Sequence, residues 1–349
     1  MTFRLLSCDG GGVRGYISSS LIARLNHETG GKLLDNIDGF CGNSTGGLIS
    51  IGLAAGVKID TLVEIYGKQA KDIFTPNGLE GSAVANLESS ALANDVHPGD
   101  PDNPDLRAAG FLGSKYTFEG LKKTLALHLS KKTFADIKGK MVAVNAARLW
   151  NEDINPNRWT SETLNTHKVG GNYSNVLLSD AAMASAAAPI YFPPHEIPGR
   201  GYFADGGVFA NNPVLDGIEV VLAANLASDV SEIEVISFGT GFASLGMDSD
   251  DVGDATSWGS IRWLWPVACG SHVPPLPFIN MMLQLTSQNI ENLTALLLGD
   301  RLVRINPVLE RAVMPDQFGP KDYKVMDNAI KSATAGEAWV RAKAMIDDW

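Results

Sequence analysis

The stretch Asp9-Gly10-Gly11-Gly12-Val13-Arg14-Gly15 decides how this chain is read. It follows the apolar run Phe3-Arg4-Leu5-Leu6-Ser7-Cys8 and precedes an amphipathic run from Tyr16 to Asn26. A strand that enters a helix through a loop with almost no side chains brings backbone N–H groups close to a ligand oxygen. The first turn of the helix adds unpaired N–H donors and the positive end of its dipole. The loop is therefore suited to hold a negative oxygen, of either a phosphate or a reacting ester.

Working outward, three more runs read as core strands: Ile37–Gly42, Met141–Ala147 and Ile233–Phe238. Helical patterns lie between them. Ile17, Leu21, Ile22 and Leu25 share one face of a helix that closes at Gly30-Gly31. A second helix spans about Thr45 to Ala55, Leu121, Leu125 and Leu129 mark a third, and Asp180–Ala187 a fourth. Strands alternating with helices predict an α/β fold of three layers, α/β/α, with a central mostly parallel sheet. Two regions depart from this pattern. Residues 76–115 are rich in Gly, Pro, Asn and Asp and read as a surface excursion. Residues 258–285 carry Trp258, Trp263, Trp265, Phe278, Met281 and Met282, and read as a hydrophobic lid or core packing, with an exposed apolar surface that meets lipid or a partner as the alternative.

Bulk composition bounds the function. A 349-residue chain with 45% hydrophobic residues has ample material for a core and is read as one domain. The net charge of −11 argues against nucleic acid, whose phosphates need Lys and Arg. Three cysteines without metal-ligand spacing suggest neither a disulfide framework nor a zinc site, and no cofactor is expected. Arg4 and Asp9-Gly10 cut short any leader-like apolar run, and no stretch is long enough to span a bilayer. The expectation is a cytoplasmic protein.

Chemistry concentrates in two further motifs. Gly42-Asn43-Ser44-Thr45-Gly46 sits between a strand and a helix, the context of a nucleophile elbow, where flanking glycines leave room for an exposed Ser hydroxyl. Asp205-Gly206-Gly207 ends a short strand after Gly201-Tyr202-Phe203-Ala204. An Asp is a weak base at its reference pKa of about 3.9, but desolvation raises it, and a bonded Ser can then transfer its proton as attack proceeds. Ser44 as nucleophile, Asp205 as base and the Gly11 and Gly12 N–H groups as oxyanion donors are the parts needed for acyl transfer.

Taken together these blocks resemble the patatin-like phospholipases, lipid acyl hydrolases with a Ser–Asp dyad. The blocks occur in order: residues 9–15, residues 42–46, Ala184-Ser185-Ala186-Ala187-Ala188-Pro189-Ile190-Tyr191-Phe192-Pro193-Pro194, then Asp205-Gly206-Gly207 with Asn211-Asn212-Pro213, and finally Ser237-Phe238-Gly239-Thr240-Gly241. They cover about residues 3–245, and residues 246–349 are expected to be a lid or helical extension of the same domain. The resemblance implies Ser44 and Asp205 as the dyad and Gly10, Gly11, Gly12 and Arg14 as the oxyanion hole. Arg14 would hold the loop or meet a substrate phosphate, and Gly42, Asn43, Thr45, Gly46, Gly206 and Gly207 would support loop or substrate. The implied substrate is a membrane phospholipid or related acyl lipid, met by transient contact at the membrane surface. Some bacterial members are switched on by small signalling molecules, so the resemblance admits a small-molecule or protein activator.

Three rival readings compete with this one. Gly10-Gly11-Gly12-Val13-Arg14-Gly15 also fits G-x-G-x-x-G, but a dinucleotide site needs an acidic residue at the far end of the next strand. Asp35 and Asp38 lie at its start. A Ser-His-Asp carboxylesterase could use Ser44, Asp205 and His272, although Ser44 follows only the second strand, unusually early for that architecture. A non-catalytic binding or storage protein would not need an intact Ser44, Asp205 and glycine loop.

Overall fold

The computed structural model describes residues 2–77, 114–154, 156–264, 273 and 276–349. Its centre is a mostly parallel sheet of β1 (Phe3–Cys8), β2 (Gly39–Asn43), β3 (Met141–Arg148), β4 (Thr160–Asn165), β5 (His195–Ile197), β6 (Gly201–Asp205), β7 (Ile233–Phe238) and β8 (Leu302–Ile305). The order is β8-β7-β1-β2-β3-β6-β5, with β4 also on β3. Strands β8, β7, β1, β2 and β3 run parallel, and β4, β5 and β6 pair antiparallel at one end.

Both faces of the sheet are covered, so its strands are apolar throughout rather than alternating with polar residues. Leu6, Cys8, Phe40, Val142, Val144, Ile236 and Phe238 point to one side. They meet α1 (Gly15–Glu28), α2 (Thr45–Ala54), α3 (Ile59–Gly67), α4 (Glu119–Leu129) and α5 (Leu178–Ser185). Phe3, Leu5, Cys41, Ala143, Ile233 and Val235 point to the other side, against α6 (Val214–Ala223) and the end of α7 (Pro277–Leu298). The period of two in β1, with Leu5 on one face and Leu6 on the other, separates the layers. Helices α8 (Pro320–Ala333) and α9 (Glu337–Asp347) add Val325, Met326 and Trp339 to the first core. The three-layer α/β expectation holds.

The parts legible in the sequence are where they were expected. Strands β1 and β7 match their apolar runs residue for residue, β2 begins two residues late at Gly39, and α1 ends before Gly30 and Gly31, both at positive φ. The stretch beyond residue 245 differs from expectation, because it supplies β8 to the central sheet as well as helices. Most of the 76–115 excursion lies outside the described residues. Within 258–285 the described part is neither buried core nor wholly exposed. Pro277 is buried, Ile279 and Met282 are half-buried, and Phe278 and Met281 are exposed.

The register of β3 does most to build the site. One edge of β3 pairs with β4 from Ala143 to Arg148, so β2 and β6 must share the other edge. On that edge β2 pairs up to Asn43↔Asn145, and β6 takes over at Asp205↔Ala146. Asn43 and Asp205 therefore lie end to end, although 162 residues separate them.

Candidate active site

Ser44 occupies the turn between β2 and α2 with φ 52 and ψ −121, in the left-handed half of backbone space that a non-glycine residue avoids. Holding it there costs on the order of 1–3 kcal/mol, tolerated only where the surroundings over-determine the turn. Two features do so. The Ser44 N–H donates to Ser185 Oγ at 2.8 Å. Gly46 lies so close to β1 that a Cβ there would stand 2.0 Å from the Cys8 carbonyl oxygen, so only glycine permits this approach. The hydroxyl is thereby set above the sheet at the N-terminus of α2, where the helix dipole favours developing negative charge.

Asp205 is 5% exposed. Its carboxylate accepts from Asn43 Nδ2 at 3.0 Å and from the Gly207 N–H at 2.7 Å, and the Ser44 hydroxyl lies close enough to favour its charged form. Burial pushes its carboxyl up to about 6, while the nearby Ser44 hydroxyl and the bonds from Gly207 and Asn43 pull it down. A carboxylate in that range is a better base than a solvated Asp and is still ionised at neutral pH. Asn43, expected as loop or substrate support, thus holds the Asp205 carboxylate directly.

Each carbonyl of the glycine loop is held. The Gly10 oxygen accepts from Thr240 Oγ1 at 2.9 Å and Asn211 Nδ2 at 3.4 Å, Gly11 from Arg14 Nε at 3.4 Å, and Gly12 from Thr45 Oγ1 at 2.7 Å. In a trans peptide the carbonyl of one residue and the N–H of the next point oppositely. Fixing the Gly10 and Gly11 carbonyls therefore aims the Gly11 and Gly12 N–H groups the other way, and among the described residues neither has a protein acceptor. Two expected donors are already engaged. The Gly10 N–H donates to the Asn211 carbonyl at 3.1 Å, and the Arg14 N–H donates to the Gly11 carbonyl at 3.2 Å. The Arg14 guanidinium spans the Gly11 and Gly241 carbonyls, the latter at 3.1 Å, which places it as a brace of the loop. Gly206 packs where a Cβ would lie 2.5 Å from both Asn145 Cβ and Asn43 Oδ1.

Asp9, at the head of the loop, is buried and would carry an unwanted charge beside the donors. Arg304 of β8 meets it bidentately, Nη1 to Oδ1 at 2.8 Å and Nη2 to Oδ2 at 2.5 Å, and also donates to Ser237 Oγ at 2.8 Å. Burial raises the Asp9 carboxyl, while Arg304 opposes the rise. Arg304 in turn contacts Glu291 of α7 through Nε at 3.3 Å. Nothing in the sequence marked this residue, since it lies in a four-residue strand outside every motif. Ser185, Thr240 and Asn211 lie within blocks already noticed, but without a role that sequence could assign.

Gly11, Gly12, Ser44 and Asp205 face one cavity of about 380 Å³. Its remaining wall is largely apolar, from Ile73, Phe74, Leu121, Phe192, Leu245 and Leu283. A few convergent polar groups in an apolar cleft of this size suit a ligand with a long hydrocarbon part. Of the histidines, His272 lies outside the described residues. His195 pairs with Asp180 Oδ1 at 3.2 Å against the Phe118 ring, and no histidine among the described residues bonds Asp205.

A family model described as patatin-like phospholipase matches residues 6–218. Three curated proteins named cGAMP-activated phospholipase are similar to the chain. That of Vibrio cholerae serotype O1 is 30% identical over 257 residues, covering 68% of this chain and 64% of the relative. That of Pseudomonas aeruginosa is 28% identical over 242 residues, with 68% and 62% covered. The Escherichia coli protein is 29% identical over 248 residues, again with 68% and 62% covered. The chain thus spans less than two thirds of the length of these relatives.

Proposed function

The chain belongs to the patatin-like phospholipase family, and from that premise we propose that it is a lipid acyl hydrolase acting on membrane phospholipids through Ser44 and Asp205. The observation that carries this reading is the edge of β3, which lays Asn43 and Asp205 end to end and so brings the carboxylate to the Ser44 hydroxyl. The Ser44 oxygen attacks the ester carbonyl carbon while its proton passes to Asp205. The carbonyl oxygen becomes an oxyanion and is received by the Gly11 and Gly12 N–H groups, each such donor contributing roughly 3–4 kcal/mol in the transition state. Collapse breaks the ester C–O bond, and the leaving alcohol takes the proton from Asp205. Water then attacks the acyl-Ser44 ester, gives its proton to Asp205, and collapse returns that proton to Ser44 as the fatty acid leaves.

Fatty-acid release from mixed phospholipid vesicles tests this proposal, with Ser44→Ala as the blank. Because the three relatives carry cGAMP activation in their names, a small-molecule activator belongs to the proposal, and the assay is run with and without cGAMP. Release that depends on Ser44 in either arm supports the hydrolase. Release equal in wild type and Ser44→Ala, or absent in both arms from folded protein that a fluorophosphonate does not label at Ser44, would refute it.

The dyad also predicts the behaviour of His272. Replacing it with Ala should leave at least about a tenth of wild-type activity, because removing a true general acid–base costs a hundredfold or more. Near-total loss in a variant with an unchanged melting curve would move the chemistry to a triad.

A further inference from the structure

Helix α7 runs 22 residues with a single ionisable side chain, Glu291, and that one is turned to Arg304. Its inner face lines the cavity through Ile279, Met282 and Leu283. Next to that face, Phe278, Met281 and Leu285 are 41%, 37% and 53% exposed, at spacings of three and four residues that place them on one stripe. Val208 and Phe242 line the cavity and are also exposed, so the apolar stripe continues into the cavity mouth. A helix at a water-facing surface ordinarily carries charge on its outer side, and a continuous apolar patch at a pocket mouth marks a contact surface.

We propose that this outer face of α7 is the surface on which the protein lies against a phospholipid bilayer, rimming the route from the acyl-chain region to Ser44. The inference rests on the lipid acyl hydrolase reading and adds to it the docking element. Lipid is favoured as occupant because the stripe is continuous with the cavity wall: a protein seated there would close the entrance that an acyl chain needs. No helix among the described residues is long and apolar enough to cross a membrane, which suits α7 to the interface plane. The stripe offers no cation and the chain carries a net charge of −11, so attachment should come from apolar insertion and be indifferent to anionic lipid.

The test is co-sedimentation of the Ser44→Ala protein, which leaves the lipid intact, with phosphatidylcholine vesicles. Adding Phe278→Gln, Met281→Gln and Leu285→Gln should weaken partitioning at least about tenfold with little change in melting temperature, and Leu285→Gln alone, the safer variant for folding, at least about threefold. Replacing half of the lipid by phosphatidylglycerol should change partitioning by less than about threefold. Equal partitioning of parent and variants, no binding by the parent, or strong tightening by phosphatidylglycerol would overturn the proposal. So would a parent dimer that the triple variant dissolves, which would mean that a second copy covers the stripe. Fluorophosphonate labelling of the wild type at Ser44 is read separately. Labelled protein with stripe-independent partitioning refutes the docking face alone, and stripe-dependent partitioning by protein that is neither labelled nor active on vesicles with or without cGAMP refutes the hydrolase reading alone.

Discussion

Asp205→Asn is expected to slow ester cleavage at least about a thousandfold while leaving the protein as stable as wild type, or more so, at pH 8. The amide keeps an oxygen to accept from Asn43 and the Gly207 N–H, and turns its nitrogen toward Ser44, so the geometry of the site survives. What is lost is the capacity to take a proton. The stability side follows from burial. The Asp205 carboxyl is raised from 3.8 to about 6 in the folded protein, which therefore favours its protonated form. The stability this contributes is fully present below pH 3.8 and is lost as pH rises through about 6. At pH 8 the ionised, desolvated carboxylate costs on the order of 3 kcal/mol, a cost that Asn does not carry. Thermal melts of the two proteins should differ at pH 8 and converge below pH 4. In wild type, activity should fall about tenfold per pH unit below about 6, as the base becomes protonated. An Asp205→Asn variant with a tenth of wild-type rate, or a wild-type profile flat to pH 4, would remove Asp205 from the mechanism.

The second large effect concerns a residue that touches no substrate. Arg304→Met should destabilise the fold by about 3–5 kcal/mol, because it leaves Asp9 buried with its charge uncompensated. The melting temperature should fall by about 5–10 °C. Activity should fall with it, since Asp9 begins the loop whose N–H groups are to meet the oxyanion. Pairing the change with Asp9→Asn removes both charges, and the double variant should regain at least about half of the lost stability. A double-mutant cycle by denaturant unfolding reads the coupling directly. Additive losses would mean that the ion pair is incidental and that Arg304 acts only by filling space. Since Arg304 also contacts Glu291, the pair links the glycine loop to α7, and activity of Glu291→Gln on vesicles shows how far that link matters.

Several features could be read without coordinates because their physical causes are local. Apolar runs of six residues with flanking glycines mark β1 and β7, and Leu and Ile at helical spacing mark α1. The elbow at Ser44 is written in the glycines on either side, since a strand cannot turn so sharply into a helix with bulkier neighbours. The glycine loop is equally plain, and so are the candidate nucleophile, the candidate base and the family. Less was legible of the donors. The motif offers all three glycines as donors, yet the Gly10 N–H goes to a carbonyl two hundred residues away. For Arg14, which could brace the loop or reach a phosphate, the bonds to the carbonyls of Gly11 and Gly241 appear only in the folded arrangement.

The layered α/β fold, the order of its motifs and the residue types suited to acyl transfer can be read along the chain, because periodicity, turns and side-chain chemistry act over a few neighbouring positions. Which of these groups meet depends on how distant segments pair in the folded protein. The shared edge of β3 carries Asp205 to Asn43 and Ser44. Thr240 and Thr45 pin the loop carbonyls, β8 delivers Arg304 to Asp9 across 295 residues, and α7 is left with one face in the cavity and one in solvent. These are pairings between distant segments, chosen by strand register and by the need to neutralise or bond every buried polar group, and no local pattern records them.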